Sequence, residues 1–256
     1  RANDDRREFD MTRETALKSL DLVFRSPSPA IKIEFQGGES LLNLDLVEFI
    51  IEEAIRRNEQ EKRNLAFVLA TNLAVLDDRA LALAARHQVL VSTSLDGPAD
   101  LHNKNRPRPG GDSHARAIAG IHRARMALGR DQVGALMTTT AASLSRARDI
   151  IDEYIAQDFD GIFLRPLSPY GFAVKTKSYA AYNETKWLNF YFEGLDYIID
   201  LNLGGFPFIE QYASMILKKM LTPFQPGYVD LMSPAGIGIG AVVYNYDGDV
   251  YASDEA

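Results

Sequence analysis

Phe35-Gln36-Gly37-Gly38-Glu39-Ser40-Leu41-Leu42 is the stretch on which the reading of this chain turns. It joins a short apolar strand, Ala30–Phe35, to a helix through paired glycines and a carboxylate. Backbone without a Cβ at a strand's carboxyl end lets a ligand lie directly on main-chain carbonyls. Glu39 beside it can accept charge-assisted hydrogen bonds from a ligand ammonium, each contributing roughly 1.5–3 kcal/mol when shielded from water. Such a site suits a small molecule that carries an amino group. The same residues also read as a plain strand-to-helix turn with Ser40 as its cap, because Gly-Gly is a common punctuator. The rest of the chain favours the first reading.

With 256 residues and 28.5 kDa, the chain is long enough for one large α/β domain, or a domain with an appendage. A content of 46% hydrophobic and 25% charged residues is that of a folded protein rather than a disordered one. No apolar run approaches the ~20 residues needed to cross a bilayer, and no export or transit segment opens the sequence. A formal net charge of −7 disfavours a general nucleic-acid binder. There is no cysteine, so these residues can form no disulfide and no thiolate-held zinc or iron–sulfur site. Among His87, His102, His114 and His122, the pair His114 and His122 can share one helix face. No carboxylate lies nearby at ligand spacing, so they read as ordinary half-buried or solvated histidines.

Apolar periodicity predicts a helix over 11–24, led by Asp10 as cap, with Ala16, Leu17, Leu20 and Phe24 inward. The strand Ala30–Phe35 follows, then a helix over 45–57 burying Leu46, Phe49, Ile50 and Ile55. Further strands are expected at 65–70, 89–95, 132–137 and 161–167. Helices are expected at 77–86, 113–128 and from Ser143 as cap to about residue 157, with a Pro- and Gly-rich loop after Pro98. Apolar strands separated by single helices mark a parallel sheet covered by helices.

In such sheets the chemistry sits beyond the strands' carboxyl ends. Those ends carry Gly37-Gly38-Glu39, Thr71-Asn72, Ser94 with Asp96, Thr138 to Thr140, and Arg165 with Ser168. Each group is small or polar and follows an apolar run. Local capping accounts for some of them. From Pro169 the pattern changes to an aromatic-rich helix over 183–201 (Trp187, Phe190, Tyr191, Phe192, Tyr197) and another over 208–220, whose stripes read as packing faces. Gly236, Gly238 and Gly240 precede a hairpin rather than a helix, which excludes a dinucleotide fingerprint. The hairpin spans 241–246 and 249–251 around Asp247-Gly248, a strong turn signal that displaces a calcium-loop reading.

With Phe35–Leu42 quoted above, Ala70-Thr71-Asn72 and Ser92-Thr93-Ser94-Leu95-Asp96-Gly97-Pro98, followed by His102 and Arg106, resemble motifs of the radical S-adenosylmethionine (radical SAM) superfamily in their proper order. Tyr246-Asp247-Gly248-Asp249-Val250-Tyr251 resembles the start of a SPASM-type extension, and within the peptide-maturase branch the chain is most similar to the maturase of the His-Xaa-Ser system. The resemblance implies a partial (β/α)6 TIM-like barrel lacking its first strand, followed by a helical segment and a C-terminal β-hairpin. The implied units are 1–168 for the barrel core, 169–222 for the helical extension and 223–256 for the start of the SPASM-like part. It further implies S-adenosylmethionine (AdoMet) and a 4Fe–4S cluster as cofactors, a peptide substrate, a reductant protein as partner, and a cytoplasmic setting without membrane or nucleic acid. In that picture the carbonyls of Gly37 and Gly38, with Glu39, receive the AdoMet ammonium. Ser94 contacts the ribose or the carboxylate, Arg106 pairs with the carboxylate, Thr71 and Asn72 complete the rim, and Arg165 lies near the adenine. Asp96 at its strand end is a weak candidate acid or base, and a turn-stabilising role is the favoured reading.

The departures are as informative. The family's first strand and its CxxxCxxC loop are missing, so the cluster ligands are expected outside this chain, which alone is expected to be inactive. Ala235 and Ser253 stand where the extension usually has cysteines. Alternative readings are a cluster-less peptide-binding module on the same fold, and a non-redox α/β-barrel lyase, for which residues 163–169 supply neither a lysine nor a phosphate loop.

Overall fold

A computed structural model describes residues 6–167, 182–232 and 238–253 of the protein. Ser168, Ala235 and Gly236, named above, and the boundary at 168/169 lie outside them. Four strands, β1 (Ala30–Phe35), β2 (Asn64–Ala70), β3 (Leu90–Ser94) and β4 (Val133–Leu136), form one parallel sheet in sequential order. β1 buries Ile31 and Phe35 but exposes Lys32 and Glu34, the alternation of a strand covered on one face. β2 lies inside the sheet and buries Phe67, Val68 and Leu69 consecutively, as a strand covered on both faces does.

The helices are α1 (Arg6–Phe9), α2 (Arg13–Val23), α3 (Leu44–Glu61), α4 (Asp78–Arg86), α5 (Ala99–Asn105), α6 (Ser113–Leu128), α7 (Ala147–Ala156), α8 (Glu184–Leu203) and α9 (Gln211–Leu221). Thr12, not Asp10, caps α2, its hydroxyl accepting from the Thr15 amide at 3.1 Å. The buried stripe of α3 is Val47, Ile51 and Ala54, leaving the expected Leu46, Phe49, Ile50 and Ile55 half-buried on its flanks. That helix also runs one turn further than expected, with Glu53 bridging Arg56 and Arg57 on its surface at 2.7 and 2.8 Å. Ser143 does not cap α7. It is buried one turn earlier and accepts from the Thr140 amide at 3.1 Å, so the helix begins only at Ala147.

α5 falls where a loop was expected. Pro98, with φ −61°, pre-sets its first turn, and its carbonyl accepts from the His102 amide. The last expected strand is shorter than 161–167: β5 is Gly161–Ile162 alone. The Arg165 amide turns back onto the Phe163 carbonyl at 2.9 Å and Pro166 has no N–H, so the ladder cannot continue. β5 pairs in parallel with β6 (Ile209–Glu210), which precedes α9 where a continuous helix was expected. Among the described residues this pair is separate from the four-stranded sheet. β7 (Val243–Tyr244) and β8 (Val250–Tyr251) form the antiparallel hairpin, with Gly248 at φ +95° in its turn.

Two apolar clusters hold these elements. One joins α2, α3, α4 and α6 to the sheet through Leu20, Phe35, Ile51, Leu69, Leu81, Val91 and Ile121. The other joins α5, α7 and α8 to β5 through Leu95, Leu101, Ile150, Ile151, Leu164, Phe190 and Ile198. Ile118 and Phe159 pack against both. α8 thus shares a core with α5, α7 and β5.

Candidate functional site

Parallel order brings the carboxyl ends of all four sheet strands to one rim. At the first end, Gly37 adopts φ +136°, a conformation that glycine reaches without strain, and a Cβ there would meet no atom within 4 Å. The backbone at this turn is therefore open to a ligand. Glu39 is extended and caps a short 3-10 turn, Ser40–Asn43, by accepting from the Leu41 amide at 3.2 Å. Ser40, the cap in the alternative turn reading, instead has a buried hydroxyl without a hydrogen-bond partner among the described residues.

Glu39 also ties the first strand end to the second. Its Oε1 accepts from the Thr71 hydroxyl at 2.6 Å and its Oε2 from the Asn72 amide at 2.9 Å. Thr71 Oγ1 in turn accepts from the Leu73 amide, and Asn72 Oδ1 from the Ala74 amide, so both side chains fix their own turn. The structure thus brings Gly37, Gly38, Glu39, Thr71 and Asn72 together as one unit. A carboxylate offers about four lone-pair sites, so with Leu41, Thr71 and Asn72 donating, one remains for a ligand.

The Thr71 amide continues the rim by bonding the Ser92 carbonyl, and the Leu95 amide bonds the Leu136 carbonyl. At this third end Asp96 is 1% exposed. Arg106 grips it bidentately, Nε to Oδ2 at 2.8 Å and Nη2 to Oδ1 at 3.1 Å, and the Thr138 amide donates to Oδ1 at 3.0 Å. Arg106 Nη2 also reaches the Thr138 hydroxyl at 3.3 Å, leaving Nη1 without a partner among the described residues. Asp96 therefore holds the turn between two strand ends, and Arg106 approaches the rim with one face already bound. Ser94 ends β3, half-buried, its hydroxyl making no hydrogen bond among the described residues.

Thr139 carries the rim to β5 by donating to the Arg165 carbonyl at 2.6 Å. The Arg165 guanidinium lies 5.9 Å from the centroid of Phe163, which packs with Tyr212 and Tyr228. Glu39 bridges β1 and β2 while Arg106 serves β3 and β4, a separation on the order of 10 Å by strand spacing.

Two features escaped the sequence. His102 is fully buried, accepts from the Asp96 amide at its Nδ1 (3.2 Å) and stands edge-on to His114 at 5.7 Å. Burial holds its imidazole down at about 4, against the pull of Asp96 and with help from Arg106. His114 faces His102 and Glu153 (2.9 Å), not His122. The second is Glu210, buried at the end of β6, where it accepts from the Leu164 amide, the Tyr191 hydroxyl and the Ala213 amide. An acid directly before an apolar helix was the available signal for this capping role. Burial, with Glu210 beside it, pushes the Tyr191 phenol up.

No protein-family model matches the sequence. Among solved structures, the chain is similar to anSMEcpe, a sulfatase-maturating radical SAM enzyme, with bound AdoMet: TM-score 0.72 at 22% identity, over 96% of this chain and 66% of the other. The same enzyme with AdoMet and the Kp18Cys peptide gives 0.68 at 21% identity, over 95% and 66%. With the Cp18Cys peptide it gives 0.70 at 22%, over 96% and 67%. The chain thus spans about two thirds of the length of these structures. The protein is a mixed α/β structure with the fold of that part of anSMEcpe.

Proposed function

We propose that this chain is the AdoMet-holding core of a radical SAM enzyme that modifies a ribosomally made peptide. The observation that carries this reading is the rim itself: a half-buried Glu39 with no cation partner among the described residues, beside bare glycine backbone, on a fold solved elsewhere with AdoMet and peptide. Under it, the four-stranded sheet and the β5–β6 pair are arcs of one open barrel, with helical and SPASM-like parts following at 169–222 and 223–256. The subfamily it would belong to is that of the His-Xaa-Ser maturases.

The residues present fit AdoMet. The Gly37 and Gly38 carbonyls and the remaining lone pair of Glu39 would take its ammonium, a cation in need of acceptors. Arg106 would offer Nη1 to the carboxylate while Asp96 fixes the rest of the guanidinium. Ser94 would contact ribose or carboxylate, and Arg165, levelled by Phe163, would border the adenine. Thr71 and Asn72 orient Glu39. AdoMet, when bound, supplies the 5′-deoxyadenosyl group that takes hydrogen from a substrate. Asp96, sealed by Arg106 and Thr138, serves position rather than proton transfer.

The same residues do not fit an iron–sulfur cluster. The chain has no cysteine, and no group of three or more His, Cys, Asp or Glu side chains able to hold a metal occurs among the described residues. Cluster ligands and the reductant that serves them would therefore belong to protein outside these 256 residues, and this chain alone would be inactive. The lack of cysteine equally favours a second reading, a cluster-less module that binds peptide. No helix of the described residues is long and apolar enough to cross a membrane. A cytoplasmic setting is part of the same proposal.

The test is AdoMet binding to this chain by titration calorimetry. Glu39→Ala is expected to weaken it ten-fold or more, about 1.4 kcal/mol. Equal affinity in the variant would discard the ammonium pocket, and no binding by the parent chain would leave the peptide-module reading.

A further inference from the structure

His102 joins both partners of the rim's ion pair. Its side chain accepts from the Asp96 amide through Nδ1, and its carbonyl accepts from the Arg106 amide at 2.9 Å. Its own amide is anchored on the Pro98 carbonyl in the first turn of α5. Asp96 and Arg106 are thus set against each other from one residue, six positions after the acid and four before the base. A main-chain N–H can only donate, so Nδ1 must carry a lone pair and the ring proton must sit on Nε2. An imidazolium would present N–H to N–H and break the link.

The surroundings keep the ring neutral. It is buried against Asp96 at the end of β3, Arg106 after α5, His114 on α6 and Glu153 on α7. Gly97, at φ +122°, lets the chain turn between Asp96 and α5, where a Cβ would stand 2.8 Å from Ile150 Cγ1. Tyr154 closes the floor by donating to the Leu95 carbonyl at 2.8 Å. This is more architecture than a surface ion pair needs, and its free product is Arg106 Nη1.

We propose that His102 is a positioning residue: as a neutral Nε2–H imidazole it fixes the Asp96 turn and the end of α5, so that Arg106 is held with Nη1 free to bind the carboxylate of a ligand at the rim. The ligand assignment rests on the AdoMet reading above; the positioning does not. His102 itself touches no ligand.

The experiment compares wild type, His102→Leu and His102→Asn in the 256-residue chain. Leucine fills the space without accepting; the asparagine carbonyl can still accept from the Asp96 amide. Two readouts are taken: the Arg106 Nε–H resonance in nitrogen-15 spectra, and AdoMet affinity by equilibrium dialysis. Wild type is expected to show a protected, slowly exchanging Nε–H, lost in His102→Leu and recovered in His102→Asn. AdoMet affinity is expected to fall at least ten-fold with leucine and to return within about three-fold with asparagine. An unaltered Nε–H in a folded His102→Leu, or failure of asparagine to recover it, overturns the proposal. If wild type binds no AdoMet, the proposed function falls, and the Nε–H readout still decides the positioning role. Should His102→Leu not fold, loss of the Nε–H resonance in a folded His102→Asn still counts against it.

Discussion

Glu39 and Asp96 are two carboxylates on one rim, beyond the ends of β1 and β3, each bound by hydroxyl, amide or guanidinium donors, yet they differ in net charge. Asp96 is sealed and neutralised by Arg106. Glu39 is held by the Thr71 hydroxyl and the amides of Leu41 and Asn72, which orient it without cancelling its charge. Glu210, a third strand-end acid, also lacks a cation among the described residues, but it is 4% exposed and beyond a ligand's reach. Of these three acids, Glu39 alone combines a fixed geometry, a charge without a cation partner among the described residues, and access. If Glu39 binds as proposed, a binding carboxylate is recognised by what its partners leave undone, since hydrogen bonds alone do not separate it from a cap.

Removing each acid should break the comparison most sharply. Asp96→Ala leaves a guanidinium unpaired and the Thr138 amide without its acceptor, and is expected to cost about 2–4 kcal/mol, less than for a fully buried pair because Arg106 is a third exposed. Glu39→Gln keeps most of its hydrogen bonds and is expected to cost about 1 kcal/mol or less. Urea unfolding of both variants measures the difference. Equal losses would mean that Glu39 is a structural acid like Asp96.

The Asp96 unit should also respond to acid, through His102. His102 titrates near 4 in the folded chain, below its ordinary value of 6.5. Between those values the unfolded chain binds a proton that the folded one refuses, so stability falls as pH drops from about 6.5 toward 4 and changes no further from this group below it. A shift of this size corresponds to at most roughly 3 kcal/mol. Unfolding free energies measured from pH 7 to 4 should flatten in His102→Leu relative to wild type. A slope unchanged by the leucine would show that other groups govern the acid limb.

Much of this arrangement was legible in the sequence because its signals are local. β1 spans Ala30–Phe35 and α6 spans Ser113–Leu128, both as periodicity places them. Five strand ends could be named because each polar group follows an apolar run. What stayed hidden depends on distant partners. β6 is a two-residue strand defined by pairing with β5 across more than forty positions, and nothing in Ile209-Glu210 itself separates it from the helix that follows. α5 was masked by Pro98 and Pro107, although the stretch between them has neither proline nor glycine. Without α5 the spacing of Asp96, His102 and Arg106 has no geometry, so Arg106 could be named as a ligand-facing cation while its bidentate hold on Asp96 could not be seen.

The glycines of the two units give the finest contrast. Gly37 and Gly97 both lie at positive φ, +136° and +122°. At Gly97 an added Cβ would also come within 2.8 Å of Ile150 Cγ1 and 3.2 Å of Leu101 Cδ2, both in the second core. Gly97→Ala therefore combines backbone strain with overpacking and is expected to cost about 2–4 kcal/mol. Gly37→Ala meets no atom within 4 Å and carries the strain alone, about 1–2 kcal/mol. Thermal unfolding ranks the two. The smaller loss at Gly37 would be accompanied by weakened AdoMet binding, because the new methyl occupies open space beside Glu39, whereas a Gly97→Ala chain that folds should lose affinity only as far as Arg106 is displaced. A Gly37→Ala chain with full affinity would place the ligand away from the glycine backbone and leave Glu39 as its sole contact at that strand end.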